Sequence, residues 1–234
     1  MCGSLASIIN NETANQSKIK RTLLRDHVTD LLRTYIVNGR IPPGTKLVER
    51  ELIELLSVGR NPIRDALIEL QKEGLVESDS NRRRVVDLSE RDIREMFRVR
   101  LALETVAVEL AAENNSPENK TELLDNLERM RIALAKREQR DFPMLDIEAH
   151  SLIWRQSDNR HLLATLKTIA GPIFMVVFQN AEHYDWSLTL ELHTDLIRHI
   201  NAGDKRSARE SIKKHLTEAT NRALQWPGQS KKRA

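Results

Sequence analysis

The sequence predicts a mainly α-helical chain in two parts: three helices and a β-hairpin first, then about six helices. Three observations lead there. Apolar residues recur at helical spacing from Lys18 onward. β-prone segments occur only between Leu75 and Leu88. From Ser89 to Trp226 the periodicity is helical throughout, with no plausible strand. A chain of 234 residues has room for two modest domains, since domains commonly hold ~100–200 residues.

Residues 1–17, rich in Asn, Ser and Thr, read as a disordered lead-in. The first helix carries Leu24, Val28, Leu31, Leu32 and Tyr35 on one stripe and ends at Asn38-Gly39. Pro42-Pro43-Gly44 makes a rigid turn. A short helix follows from about Glu49 to Leu56, with Leu52, Leu55 and Leu56 on one side. Ser57-Val58-Gly59 breaks it. A third helix is expected from about Asn61 to Glu73, with Pro62 in its permissive first turn. Its buried stripe is Ile63, Ala66, Leu67 and Leu70, and Gly74 follows its end. Leu75–Ser78 and Val85–Leu88 read as strands around an arginine-rich loop. Two helices joined by a three-residue turn, then a hairpin, form a winged helix-turn-helix over residues 18–88.

Ser89 with Asp92 resembles a capping box and starts the second part. Breaks are expected at Asn114-Asn115-Ser116-Pro117, Phe142-Pro143, Ser157-Asp158-Asn159, Gly171-Pro172, Asp185 and Gly203-Asp204. Residues 89–226 thus form an all-α six-helix bundle, large enough to hold a cavity. Residues 227–234 form a basic tail.

Composition is that of a soluble protein, with 40% hydrophobic and 30% charged residues. No stretch approaches the ~18 uncharged apolar residues of a membrane span. Leu5 to Ile9 lacks the basic leader and full apolar region of a signal peptide. The single cysteine, Cys2, excludes an internal disulfide and fits a cytoplasmic protein. Net charge is only +3, so basic residues count by position. Two clusters stand out, Arg82-Arg83-Arg84 and Lys231-Lys232-Arg233; such runs are usually solvated faces.

The second helix of a helix-turn-helix lies in the major groove, and its first turn meets base edges. Arg60 and Arg64 are four apart there, on one face, with Asn61 beside them. Arginine donates two parallel bonds to guanine O6 and N7. Arg50 is placed to reach a phosphate or outer base, and wing residues Arg82 and Arg83 the backbone or minor groove. The bland alternative pairs Arg60 and Arg64 with Asp65 or Glu69.

The stretch from Leu31 to Val86 resembles the GntR family of winged helix-turn-helix regulators. It carries Ile41-Pro42-Pro43-Gly44, Leu47, Glu49, Arg60, Pro62, Ile63-Arg64-Asp65-Ala66-Leu67, Glu73-Gly74-Leu75-Val76 and Asn81-Arg82 in the family's order. The resemblance implies DNA contacts by Arg50, Arg60 and Arg64. Two positions depart from it. Gly59 stands where serine or threonine is usual, losing a helix cap or phosphate contact. Arg83 stands where the wing tip usually has glycine, which predicts strain if φ there is positive.

Asp146 and His150 are four apart on one predicted helix, with His193 and His215 on later ones. A carboxylate and three imidazoles suit a divalent first-row metal. Seven histidines in a helical protein also produce such coincidences. Residues 90–225 resemble the FCD ligand-binding domain of the FadR subgroup, nearest its VanR-type branch. The likeness rests on Arg98-Val99-Arg100 with Leu103-Glu104, Asp146 with His150, Asn159, His193 and His215. It implies a divalent metal held by Asp146, His150, His193 and His215: zinc foremost, nickel or manganese as alternatives. It also implies a small organic-acid or sugar-acid effector beside that metal. Arg100 is the candidate to pair with its acid group; the alternative is an ion pair with Glu104. His161, His183 and His199 read as non-ligands.

The expected whole is a homodimeric DNA-binding regulator on a palindromic operator. Repression relieved by effector is the commoner arrangement in the resembled family. In an alternative regulator the metal is structural or is itself the signal. A metallo-hydrolase with a DNA-binding appendage is more remote. No nucleophile or oxyanion loop stands out, and Glu148 falls off the Asp146/His150 face, so an enzyme is not expected.

Overall fold

A computed structural model describes residues 21–79, 82–136, 141–181 and 184–225. The lead-in at 1–17, wing residue Asn81, His183 and the Lys231-Lys232-Arg233 cluster lie outside the described residues. The chain divides into two units, Met1–Leu88 and Ser89–Ala234.

The first unit holds α1 (Arg21–Val37), α2 (Glu49–Leu56), α3 (Arg60–Lys72), β1 (Val76–Asp79) and β2 (Arg82–Val85). Val28, Leu32 and Ile36 of α1 form its core with Leu52 of α2, Ile63, Leu67 and Leu70 of α3, and Val85. Arg33 donates to both carboxylate oxygens of Glu73, at 2.8 and 2.6 Å, fastening α1 to the end of α3. Ser57 adopts the left-handed conformation (φ 51°) that turns the chain from α2 into α3.

The wing corrects two expectations. Arg82, Arg83 and Arg84 lie in β2, antiparallel to β1 in the register Glu77↔Arg84, Ser78↔Arg83, Asp79↔Arg82. They do not form a loop, and residues 86–88 follow the strand. Carboxylates stand opposite Arg82 and Arg84, and opposite charges across a ladder stabilise pairing. The Leu47 amide donates to the Arg83 carbonyl and the Val85 amide to the Thr45 carbonyl, so β2 is bonded on both sides. Arg83 is therefore strand backbone. Among the described residues only Ser57 and Asp158 combine a side chain with positive φ, and the anticipated strain at Arg83 is absent.

The second unit comprises α4 (Glu90–Glu113), α5 (Pro117–Ala135), α6 (Phe142–Gln156), α7 (Arg160–Gln179), α8 (Trp186–Asn201) and α9 (Lys205–Gln225). Helix starts follow the capping signals. Ser89 and Asp92 form the reciprocal capping box of α4. Ser116, Asn159 and Asp185 cap α5, α7 and α8. Helix α9 packs along α4 and α8.

The break expected at Gly171-Pro172 does not occur, and α7 runs through it. An interior proline costs ~3 kcal/mol. Ile173, Phe174, Met175, Val176 and Val177 are all buried just beyond it. At roughly 1.5–3 kcal/mol for each large apolar side chain, burial outweighs the missing hydrogen bond. Among the described residues α7 alone is long and apolar enough to cross a membrane, and half of that window is buried in the bundle.

Candidate functional site

In the first unit, Ile63, Ala66, Leu67 and Leu70 bury one face of α3. That leaves Arg60, Asn61 and Arg64 exposed on its first turn. Among the described residues Arg60 and Arg64 make no ion pair with Asp65 or Glu69. Gly59 is the N-cap, so no side chain caps the helix, and the first turn holds no acid. Cations at a helix N-terminus oppose the macrodipole. Such a local conflict is expected where function, not stability, selects the residue. Arg50 on α2 is 88% exposed and pairs with Glu54, at 3.1 Å. Arg82 is exposed on β2. Arg83 differs: it is 19% exposed and its guanidinium pairs with Glu49 of α2. It braces the wing against the helix pair instead of facing outward.

In the second unit, α6, α8 and α9 bring Asp146, His150, His193 and His215 together, all buried, with one ligand atom of each within 4.8 Å of the others. The Nε2 atoms of His150 and His215 are 3.0 Å apart. His193 Nε2 lies 3.4 Å from Asp146 Oδ1, yet neither atom has a hydrogen-bond partner among the described residues. Glu104 Oε2 accepts from His150 Nδ1 at 2.7 Å. The Thr189 carbonyl accepts from His193 Nδ1 at 2.9 Å. Both acceptors force the proton onto Nδ1, leaving an Nε2 lone pair aimed into the cluster. This outer bonding is the arrangement that orients metal-bound histidines.

The residues fit a divalent cation. Ligand bonds of ~2.1 Å require donor atoms within ~4.2 Å of each other, close to the observed span. Burial, helped by the neighbouring imidazoles and arginines, holds His215 well below the ordinary imidazole range. Burial likewise lowers His193, against the pull of Asp146. Neutral imidazoles are the ligating form. Burial opposes ionisation of Glu104, but Arg100 and His150 overcome it and hold its carboxyl at about 2.

Arg100 donates from Nε to Glu104 Oε1 at 2.5 Å, and both side chains are buried. The alternative ion pair is therefore present. One guanidinium nitrogen, Nη2, still has no partner among the described residues. Arg100, Asp146, His150 and His215 line a cavity of about 20 Å³ with Tyr184 and Arg222, room for roughly one water. Glu148 lies on the outer surface, paired with Arg129 at 2.7 Å. His161 and His199 lie outside the cluster.

Sequence reasoning missed Glu104 as the brace for His150, and it missed Tyr184 and Arg222 altogether. A signal for Arg222 existed. It follows His215 by seven residues, two turns along the same face of α9.

A winged helix-turn-helix with exposed arginines on its second helix and, in a separate unit, a helical bundle with a buried ligand-type cluster are the architecture of a DNA-binding regulator. Residues 24–86 match the family described as bacterial regulatory proteins, gntR family, and residues 95–218 match the FCD domain. The chain belongs to the GntR family of transcription regulators, in an FCD-bearing, FadR-like form. The HTH-type transcriptional repressor RspR of Escherichia coli is 27% identical over 83% of this chain and 86% of its own length. The gluconate operon transcriptional repressor of Bacillus licheniformis is 29% identical over 74% of each. The solved structure of E. coli McbR/YncC superposes with a TM-score of 0.75 at 22% identity, covering 89% of this chain and 99% of that one. These relatives are transcription regulators, not enzymes.

Proposed function

We propose that this transcription regulator is a cytoplasmic homodimeric repressor whose operator affinity is set by a small organic acid or sugar acid bound beside a divalent metal. Asp146, His150, His193 and His215 hold the ion, zinc foremost. Arg50, Arg60, Asn61, Arg64 and Arg82 contact a palindromic operator, while Arg83 supports the wing through Glu49. The bound ion adds positive charge and open coordination positions to the cavity, which favour a carboxylate.

The observation that carries this reading is the pairing of two unmet demands in one buried place. The cluster presents lone pairs with no donor, and Arg100 presents an N–H with no acceptor. A cation answers the first and a carboxylate the second. A cavity with room for about one water also gives the effector a means of control. Any organic acid is larger, so it binds a more open state and shifts the population toward it. The relative that regulates a gluconate operon supports the sugar-acid class.

The test is operator binding by the zinc-loaded protein, with and without a panel of carboxylic and sugar acids, repeated after dialysis against chelator. The reading predicts that one acid weakens operator binding only when metal is present. Weakening by the same acid without metal contradicts it. A response to metal alone, with no acid effective, favours the metal itself as signal.

A further inference from the structure

The donors left over once the metal ligands are assigned mark a second subsite in the same cavity. Arg222 of α9 is fixed on three sides. Its Nε donates to Glu218 at 3.1 Å. Its Nη1 donates to the Asp185 carbonyl at 3.1 Å and the Thr189 hydroxyl at 2.8 Å. The guanidinium also lies 5.6 Å from the centre of the Tyr184 ring, which stacks on Trp186 at 5.1 Å. Arg222 Nη2 and the Tyr184 hydroxyl nonetheless remain buried without a partner among the described residues. Both residues line the cavity that contains Arg100, Asp146, His150 and His215.

A metal ion does not answer Arg222, because its guanidinium is cationic and has no lone pair to give. What is missing is an acceptor. Thr189, which holds Arg222, precedes His193 by one turn of α8; the rise over four residues is ~6 Å. The leftover donors therefore lie along the cavity from the metal ligands.

We propose that Tyr184 and Arg222 read the end of the effector remote from its acid group and select a monocarboxylate carrying hydroxyls there. The inference rests on the effector reading above. Arg222 already pairs with Glu218, so a second carboxylate beside it meets an anion. A hydroxyl meets no such repulsion, accepts from Nη2, and exchanges a hydrogen bond with the Tyr184 phenol. The acid end belongs beside Arg100, whose own Nη2 has no partner among the described residues. Acetate carries no hydroxyl for Tyr184 and Arg222 to read.

The experiment is calorimetric titration of the zinc-loaded full chain with gluconate, acetate and succinate. Gluconate is expected to bind at least tenfold tighter than either. Tyr184→Phe, which keeps the ring and its stacking, is expected to weaken gluconate about tenfold, and Arg222→Met tenfold or more. Acetate affinity should change less than twofold in both. Equal gluconate binding by the native chain and Tyr184→Phe overturns the subsite and leaves the effector reading standing. A preference for succinate over gluconate overturns it as well. Failure of the native chain to bind any of the three acids contradicts the effector reading, and this inference falls with it.

Discussion

Glu104 is the residue through which the bundle holds its cluster in shape, and Glu104→Gln tests that directly. Its two carboxylate oxygens each serve one partner, Arg100 Nε at 2.5 Å and His150 Nδ1 at 2.7 Å. Glutamine has the same shape but one oxygen. If that oxygen keeps Arg100, the amide N–H₂ faces His150 Nδ1 and drives its proton to Nε2, the atom that should bind metal. If it keeps His150, the amide faces a buried guanidinium. Loss of such an outer hydrogen bond lowers metal affinity ~10–100-fold, or about 1.4–2.8 kcal/mol. Stranding one member of a buried pair costs ~3–5 kcal/mol, and the retained hydrogen bond brings the expectation toward the lower end. A domain stable by ~5–15 kcal/mol survives that. Competition for zinc against a chromophoric chelator measures the first effect, and urea unfolding of the metal-free protein the second. Zinc affinity within twofold of native would refute the claim that Glu104 sets the His150 tautomer.

Three further outcomes are expected. Arg60→Ala and Arg64→Ala should each weaken specific operator binding by ~1–3 kcal/mol and leave thermal stability within ~0.5 kcal/mol; fluorescence anisotropy and a melt distinguish these. Arg83→Gly, which restores the resembled family's wing residue, should destabilise the first unit, because it places glycine in a strand and removes the Glu49 pair. A gain in melting temperature would contradict that. Gly59→Ser should stabilise α3 by a few tenths of a kcal/mol. A Cβ there meets only Pro62 Cδ, at 3.9 Å, and φ is −69°. A fall in melting temperature would show that the cap geometry is misread.

Much of this was legible in the sequence where local chemistry decides. Helix α2 spans Glu49–Leu56 as expected, and the Ser89 capping box starts α4. The four candidate ligands converge, although they come from three helices. Periodicity located those helices; only the family resemblance indicated that their faces meet. Readings failed where a partner distant in sequence decides. Arg82–Arg84 looked like loop because three cations in a row are poor strand formers alone. Glu77 and Asp79 opposite, and residues 45–47 alongside, make the strand. Pro172 looked like a helix end because its turn carries no sign of how deeply Ile173–Val177 are buried. Glu104 was legible as a partner for Arg100 but not for His150, since that contact spans 46 residues.

The central claim is that the bundle's buried cluster is a metal site. Elemental analysis of the purified chain beside an Asp146→Ala/His193→Ala variant tests it most directly. The account predicts about one first-row divalent metal per chain in the native protein and essentially none in the variant, with both folded by circular dichroism. Native protein that takes up no metal, even when zinc is supplied, or a variant that retains it, would contradict the account.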